Sequence, residues 1–260
     1  MTSAASTATP GTSGTPSTPG TTLTCRAVLF DMDGTLVDST AVVEQVWTAF
    51  AAEHGLDAQA ILATGHGVRA EDTMRRHGPA GFDVDSGADR LFELELAAVD
   101  GIVAVPGARA FVESLPAASI ALVTSARRAL ALRRLEIADV PTPAVVVTAA
   151  DVEHGKPSPD CYLLAAELLS VDPADAIVFE DAEAGIAAGL AAGMRSVVVG
   201  SHESETTRGL PRILDYRGVT VTVHPAEADD VDRRPTFTIA LPLKESTRPR
   251  PTRTAQNGQP

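Results

Sequence analysis

The sequence predicts a doubly wound α/β fold, a parallel sheet with helices on both faces, carrying a small inserted helical subdomain. Three observations predict it. Short apolar runs at 26–30, 119–123, 145–147, 176–179 and 196–199 alternate with helical patterns, the arrangement of parallel strands buried on both faces. Three of these runs end in polar groups, Asp31 and Asp33, Thr124 and Ser125, and Glu180 and Asp181, at the carboxyl edge where open α/β sheets place ligands. Between Leu56 and Val99 the pattern stays helical with no alternating run, which sets a helical insert apart from the sheet.

The 260 residues, 44% hydrophobic, are enough for one sizeable core with an insert. The 34 acidic residues outnumber 21 Lys and Arg. That balance argues against sequence-independent binding to nucleic acid or to an anionic membrane surface, and no run approaches the roughly 18 apolar residues of a membrane span. Only Lys156 and Lys244 are lysines, so a lone lysine stands out in the central region. Cys25 and Cys161 show no disulfide framework and are read as free thiols of a reducing compartment, so a cytoplasmic location is expected.

In chain order, residues 1–22 are almost all Thr, Ser, Gly, Pro and Ala and are expected as a disordered leader. The first strand, 26–30, delivers the aspartates, and Asp38 or Ser39 is expected to cap a helix running to about His54. Val42, Val43, Val46, Trp47 and Phe50 form its apolar stripe, assigned to core packing. Two glycines interrupt the insert at Gly65-His66-Gly67-Val68-Arg69 and leave His66 and Arg69 on a connection able to reach a cleft. Equally, Arg69 can be a surface partner of Glu71 or Asp72. Asp100-Gly101 and Pro106-Gly107 serve as a hinge, helices are expected at 127–137, after Pro159-Asp160 and at 182–192, and short strands at 219–223 and 236–241. The expected organisation is a core of 23–38 and 102–225, an insert of 39–101, and an extension of 226–260, largely disordered after about 243.

Asp31 and Asp33, two apart at a strand end, point to one side and repel unless a cation or a proton intervenes. They form a metal site or an acid/base couple. With Glu180 and Asp181 they make an all-carboxylate set suited to a hard cation such as Mg²⁺, with no His or Cys cluster to favour zinc. Lys156 and the Thr124 hydroxyl supply donors for phosphoryl oxygens, whose transfer depends on positioning and charge neutralisation.

Asp31-Met32-Asp33-Gly34-Thr35, the strand ending at Thr124, Gly155-Lys156-Pro157-Ser158-Pro159-Asp160 and Glu180-Asp181, in that order, resemble the four motifs of the haloacid-dehalogenase superfamily across residues 25 to 200. The insert is similar to the small cap of its sugar-phosphatase and β-phosphoglucomutase group, and residues 65–69 to that group's specificity loop. The resemblance implies that Asp31 attacks phosphorus and that Asp33 protonates the leaving alcohol and then activates water. It also implies that Asp31, the Asp33 carbonyl and Asp181, with Glu180 nearby, hold Mg²⁺. Thr124, Ser125 and Lys156 would bind the phosphoryl group, while His66 and Arg69 would face the substrate's hydroxyl-bearing end. Dehalogenases of the superfamily lack the second aspartate, and its phosphonate-cleaving and β-phosphoglucomutase branches use a cap lysine that has no counterpart before position 156. A Mg²⁺-dependent phosphatase acting on a small phosphorylated sugar or polyol is therefore expected, as a monomer or a dimer. A phosphosugar mutase and a non-catalytic phosphometabolite-binding protein are the alternatives.

Overall fold

A computed structural model of the chain describes residues 20–226 and 234–242. The chain enters through β1 (Thr22–Cys25) and passes directly into β2 (Ala27–Phe30), whose four residues are all buried. After β3 (Val37–Asp38) come α1 (Thr40–His54), α2 (Ala58–Thr64), α3 (Ala70–His77) and α4 (Val84–Ala97), with no strand among them. Gly55 closes α1 at φ 68°, a left-handed backbone that glycine adopts without steric cost. Asp57 and Asp83 start α2 and α4 by accepting from the amides of Ala60 and Ser86. β4 (Val103–Ala104) then pairs antiparallel with β3 and closes the neck of the helical insert.

From there helices and strands alternate: α5 (Ala108–Ser114), β5 (Ile120–Val123), α6 (Arg128–Ile137), β6 (Val145–Val147), α7 (Asp160–Leu169), β7 (Ala176–Glu180), α8 (Glu183–Ala191) and β8 (Arg195–Val199). Three further strands follow, β9 (Arg212–Ile213), β10 (Thr220–His224) and β11 (Thr236–Ala240). The main sheet has the order β6-β5-β2-β7-β8-β9, and every pairing in it is parallel. Alternate residues of β2 face opposite sides. Val28 and Phe30 pack in a cluster with Phe111, Val112 and Leu135, while Ala27 and Leu29 pack with Cys161, Tyr162 and Ala165 of α7. Both faces are covered, so the fold is doubly wound. Because β2 lies between β5 and β7, the residues that follow Phe30 emerge inside the sheet's carboxyl edge, among those that follow the two neighbouring strands.

The strands expected at 219–223 and 236–241 are present as β10 and β11, and the structure departs from the sequence reading at the start of the chain. Thr22, expected in the leader, opens β1, and β1 pairs antiparallel with β11, which in turn pairs with β10. Composition concealed β1, since its threonines flank more buried residues and its partner lies more than 200 positions away. Cys25, Phe237 and Ile239 are buried beneath this sheet, and fully burying a side chain such as Phe or Ile contributes about 1.5–3 kcal/mol. The expected disorder of residues 1–19 and after 243 lies outside the described residues, as does 227–233. Cys25 and Cys161 are buried free thiols, and no helix among the described residues is long and apolar enough to cross a membrane.

Candidate active site

Asp31 follows β2 directly, and its amide donates to the carbonyl of Phe179 on β7. The chain then folds back on itself, with the amides of Thr35, Leu36 and Val37 all donating to the Met32 carbonyl. This tight turn keeps Asp31 buried at the sheet edge. Lys156 reaches it from the connection before α7, Nζ lying 2.6 Å from Asp31 Oδ1, 2.8 Å from Glu180 Oε1 and 3.1 Å from the Val123 carbonyl. All three ammonium protons are thereby engaged. Glu180, at the end of β7, also accepts from the Tyr162 hydroxyl and the Ala182 amide. Gly185 is the residue that leaves space for this carboxylate, because a Cβ there would overlap Oε1.

Asp181 completes an acidic cluster. Asp31, Glu180 and Asp181 each offer an oxygen within 4.8 Å of the others, so three carboxylates share one ammonium. Burial pushes the Asp31 carboxyl up to about 8 despite Lys156, and Glu180 and Asp33 add to the rise. Burial, followed by Glu180 and Asp31, likewise holds Asp181 well above the usual carboxylate range. Lys156 responds in the opposite sense: burial works against its charge, yet Asp31 and Glu180 overcome it and raise the ammonium well above its ordinary value. Buried carboxylates that one lysine leaves under-neutralised, with oxygen as the shared donor, fit a divalent hard cation. The side chain of Asp33 is not part of this cluster.

Gly34 is required beside it. Its φ is +84°, and a Cβ at this position would run into the Asp181 carboxylate. Gly34→Ala is expected to cost about 1–2 kcal/mol from the left-handed backbone alone, and to displace Asp181. A lower Tm, with a smaller rise on adding a divalent cation than is expected of the wild-type protein, is the outcome that thermal unfolding should record.

Asp33 turns the other way. Its Oδ1 accepts from Ser39 Oγ at 2.6 Å and its Oδ2 from Arg134 Nη1 at 2.8 Å. Ser39 does stand at the N-cap position of α1, but its hydroxyl makes no cap bond; the charge-assisted bond to Asp33 replaces it. Asp31, Asp33, Thr124 and Ser125 line one cavity of about 100 Å³, together with His66 and Trp47 of the insert. Trp47, read as core, is buried and also faces this space. Thr124 Oγ1 accepts from the Ala126 amide, and Ser125 Oγ donates to the Gly67 carbonyl, tying the motif strand to the loop above it.

Arg69 does not line this cavity. Its Nε donates to Asp72 at 2.7 Å, while Nη1 reaches the carbonyls of Val152 and Glu153 at 3.4 and 3.1 Å. Its stem lies over Gly155, where a Cβ would collide with it. The expectation that Arg69 faces the substrate is thus corrected: the side chain straps the insert to the connection that carries Lys156, because Asp72 and two carbonyls outcompete an open cleft for a guanidinium. Two cavity residues were missed in the sequence. Arg134 of α6 donates Nη2 to Glu95 Oε1 of α4 at 3.0 Å, and both side chains line the cavity.

Comparison with known proteins places the chain in a family. The family model of haloacid dehalogenase-like hydrolases matches residues 25–193. The chain is 40% identical over 221 residues to hexitol phosphatase A of Escherichia coli, covering 84% of this chain and 99% of that protein. It is 30% identical over 225 residues to glycerol-1-phosphate phosphohydrolase 1 of Saccharomyces cerevisiae, covering 81% and 90%. The solved structure of Clostridium difficile β-phosphoglucomutase shares the fold, with a TM-score of 0.63 at 22% identity over 74% of this chain and 91% of that one. The chain therefore belongs to the haloacid dehalogenase-like hydrolase family.

Proposed function

We propose that the protein is a Mg²⁺-dependent phosphatase that hydrolyses a small phosphorylated sugar or polyol through an aspartyl-phosphate intermediate. The observation that carries the reading is the division of labour between the two aspartates. Asp31 sits against Lys156 inside the acidic cluster, while Asp33 is held apart by Ser39 and Arg134, and both open on one cavity. A nucleophile must be ionised as it attacks, and a neighbouring acid/base group must exchange a proton with the leaving oxygen. The two environments serve those different needs.

In this reading Asp31 Oδ attacks phosphorus and the bond to the leaving oxygen breaks. Asp33 gives that oxygen its proton, then takes one from the water that opens the acyl phosphate. Lys156 orients Asp31 through Oδ1, and Glu180 keeps Lys156 in place; a phosphoryl oxygen would share the ammonium with these partners. Thr124 and Ser125 border the phosphoryl position. Asp31, Asp181 and the Asp33 carbonyl, with Glu180 beside them, would hold the cation, which when bound offsets negative charge on the phosphoryl oxygens. His66 and Trp47 would meet the leaving group, and the insert would exclude bulk water. Polyol and sugar phosphates enter this proposal because the relatives named above act on a hexitol phosphate and a glycerol phosphate.

The test is phosphate release from hexitol, hexose, glycerol, nucleotide and amino-acid phosphates, each with Mg²⁺ and with chelator. Metal-dependent release concentrated on the hexitol, hexose or glycerol compounds is expected. Release confined to nucleotides, or unaffected by chelator, would overturn the proposal.

A further inference from the structure

Arg134 is 2% exposed and among the largest fully buried side chains of the protein. It shares the inward face of α6 with Leu130, Ala131 and Leu135. A guanidinium buried this deeply persists only where acceptors replace its water. Here there are two: Asp33 at 2.8 Å and Glu95 at 3.0 Å, while the buried Nε has no partner. One carboxylate belongs to the turn after β2 and the other to the helical insert. Asp33 in turn has only two side-chain partners among the described residues, Ser39 on Oδ1 and Arg134 on Oδ2.

Resting on the reading of Asp33 as the acid/base group, we propose that Arg134 is the positioning residue that sets the Asp33 carboxyl for proton transfer, and that Glu95 holds Arg134 in place from the insert. A guanidinium donates and never accepts, whereas a hydroxyl does both. Oδ2 therefore stays an acceptor toward Arg134, and the transferable proton resides on Oδ1, beside the adaptable Ser39 hydroxyl. Without Arg134 the carboxyl is free to turn about its own bond, and the proton is delivered from a distribution of orientations. General acid catalysis depends on the acid lying within hydrogen-bond reach of the leaving oxygen. Because Glu95 belongs to α4, the geometry of the acid/base group also depends on the seating of the insert.

The experiment compares kcat/KM with Mg²⁺ on glycerol 1-phosphate, propyl phosphate and 4-nitrophenyl phosphate. The first two have alkoxide leaving groups that need a proton, and the third leaves without one. Arg134→Gln is expected to lose about 10- to 100-fold more on both alkyl esters than on the aryl ester. Glu95→Gln should show the same selectivity more weakly, and Arg134→Lys should recover part of the loss. Equal losses on all three substrates would make Arg134 a packing residue and overturn the proposal. Loss on glycerol 1-phosphate alone would make it a hydroxyl-binding residue and overturn it too. If thermal unfolding shows that Arg134→Gln does not fold, Glu95→Gln decides by the same criterion. Asp33→Asn separates the two levels of the argument: a variant without alkyl-over-aryl selectivity removes the acid/base reading itself, as does a wild-type protein that releases phosphate from none of the three.

Discussion

Asp31→Asn is expected to abolish turnover while leaving the protein folded. Asparagine matches aspartate in shape but cannot form the acyl phosphate, so a loss of roughly 10⁴- to 10⁶-fold is expected, the scale seen when a nucleophile is removed from a catalytic group that acts as a unit. Folding should be spared, because Lys156 keeps Glu180 and the Val123 carbonyl as partners. Stability should even favour the variant in metal-free buffer. The Asp31 carboxyl, ordinarily near 3.8, is pushed up to about 8 by burial. Between those values the native protein keeps a proton that the unfolded chain has released, so this group's contribution to stability falls as pH rises from about 4 to about 8 and is level beyond. Asparagine has no such proton to lose. The expected pattern is a Tm for the metal-free variant that overtakes wild type as pH rises through this interval, measured alongside initial rates. Retained turnover would remove Asp31 as the nucleophile, and a variant that unfolds at every pH would contradict the burial argument.

What the sequence made legible follows from where each residue stands in its element. Asp31, Thr124, Glu180 and Asp181 stand at or beside strand ends, with Lys156 on the connection between β6 and α7, and parallel strands with alternating helices bring their carboxyl ends to one edge whatever the details of packing. Arg69 was placed by analogy with a loop. The pairing with Asp72, the equal alternative in the sequence, is the one the structure shows, while the two carbonyls of Val152 and Glu153 lie more than 80 positions away, where no linear pattern records them. Arg134 and Glu95 did leave a signal. Arg134 falls four residues after Leu130, and Glu95 four after Leu91, so each puts a charge on an otherwise buried helical face. A charge in that position requires a partner, and two such charges of opposite sign on α6 and α4 could have been paired from the sequence. In the sheet of β1, β11 and β10 the two later strands were legible, while β1 was not, since it follows a Thr- and Gly-rich stretch and pairs with a strand more than 200 positions away. Ser39 was read as a cap from local pattern, and a tertiary partner six residues earlier took its hydroxyl.

Withdrawal of the divalent cation should have an effect as large as the loss of Asp31, and its pH dependence identifies the ligands. Chelation is expected to stop phosphate release completely, and Mg²⁺ to restore it. Binding to the native state alone stabilises by mass action, about 2.7 kcal/mol at a hundredfold excess over Kd, which for a chain of this size is roughly 5–11 °C in Tm. The cation must displace protons from Asp31 and Asp181, both held above the usual carboxylate range by burial and mutual repulsion. Affinity should therefore rise with pH up to about 8, and the Tm increment at fixed Mg²⁺ should be greater at pH 8.5 than at pH 5.5. That trend is opposite to the metal-free protein's own loss of stability over the same interval, so the two curves diverge as pH rises. Asp181→Asn should flatten the increment without touching the Ser39 and Arg134 contacts of Asp33. An increment that is independent of pH, or that survives in Asp181→Asn, would take the cation away from the acidic cluster and leave the three clustered carboxylates without the charge that their arrangement requires.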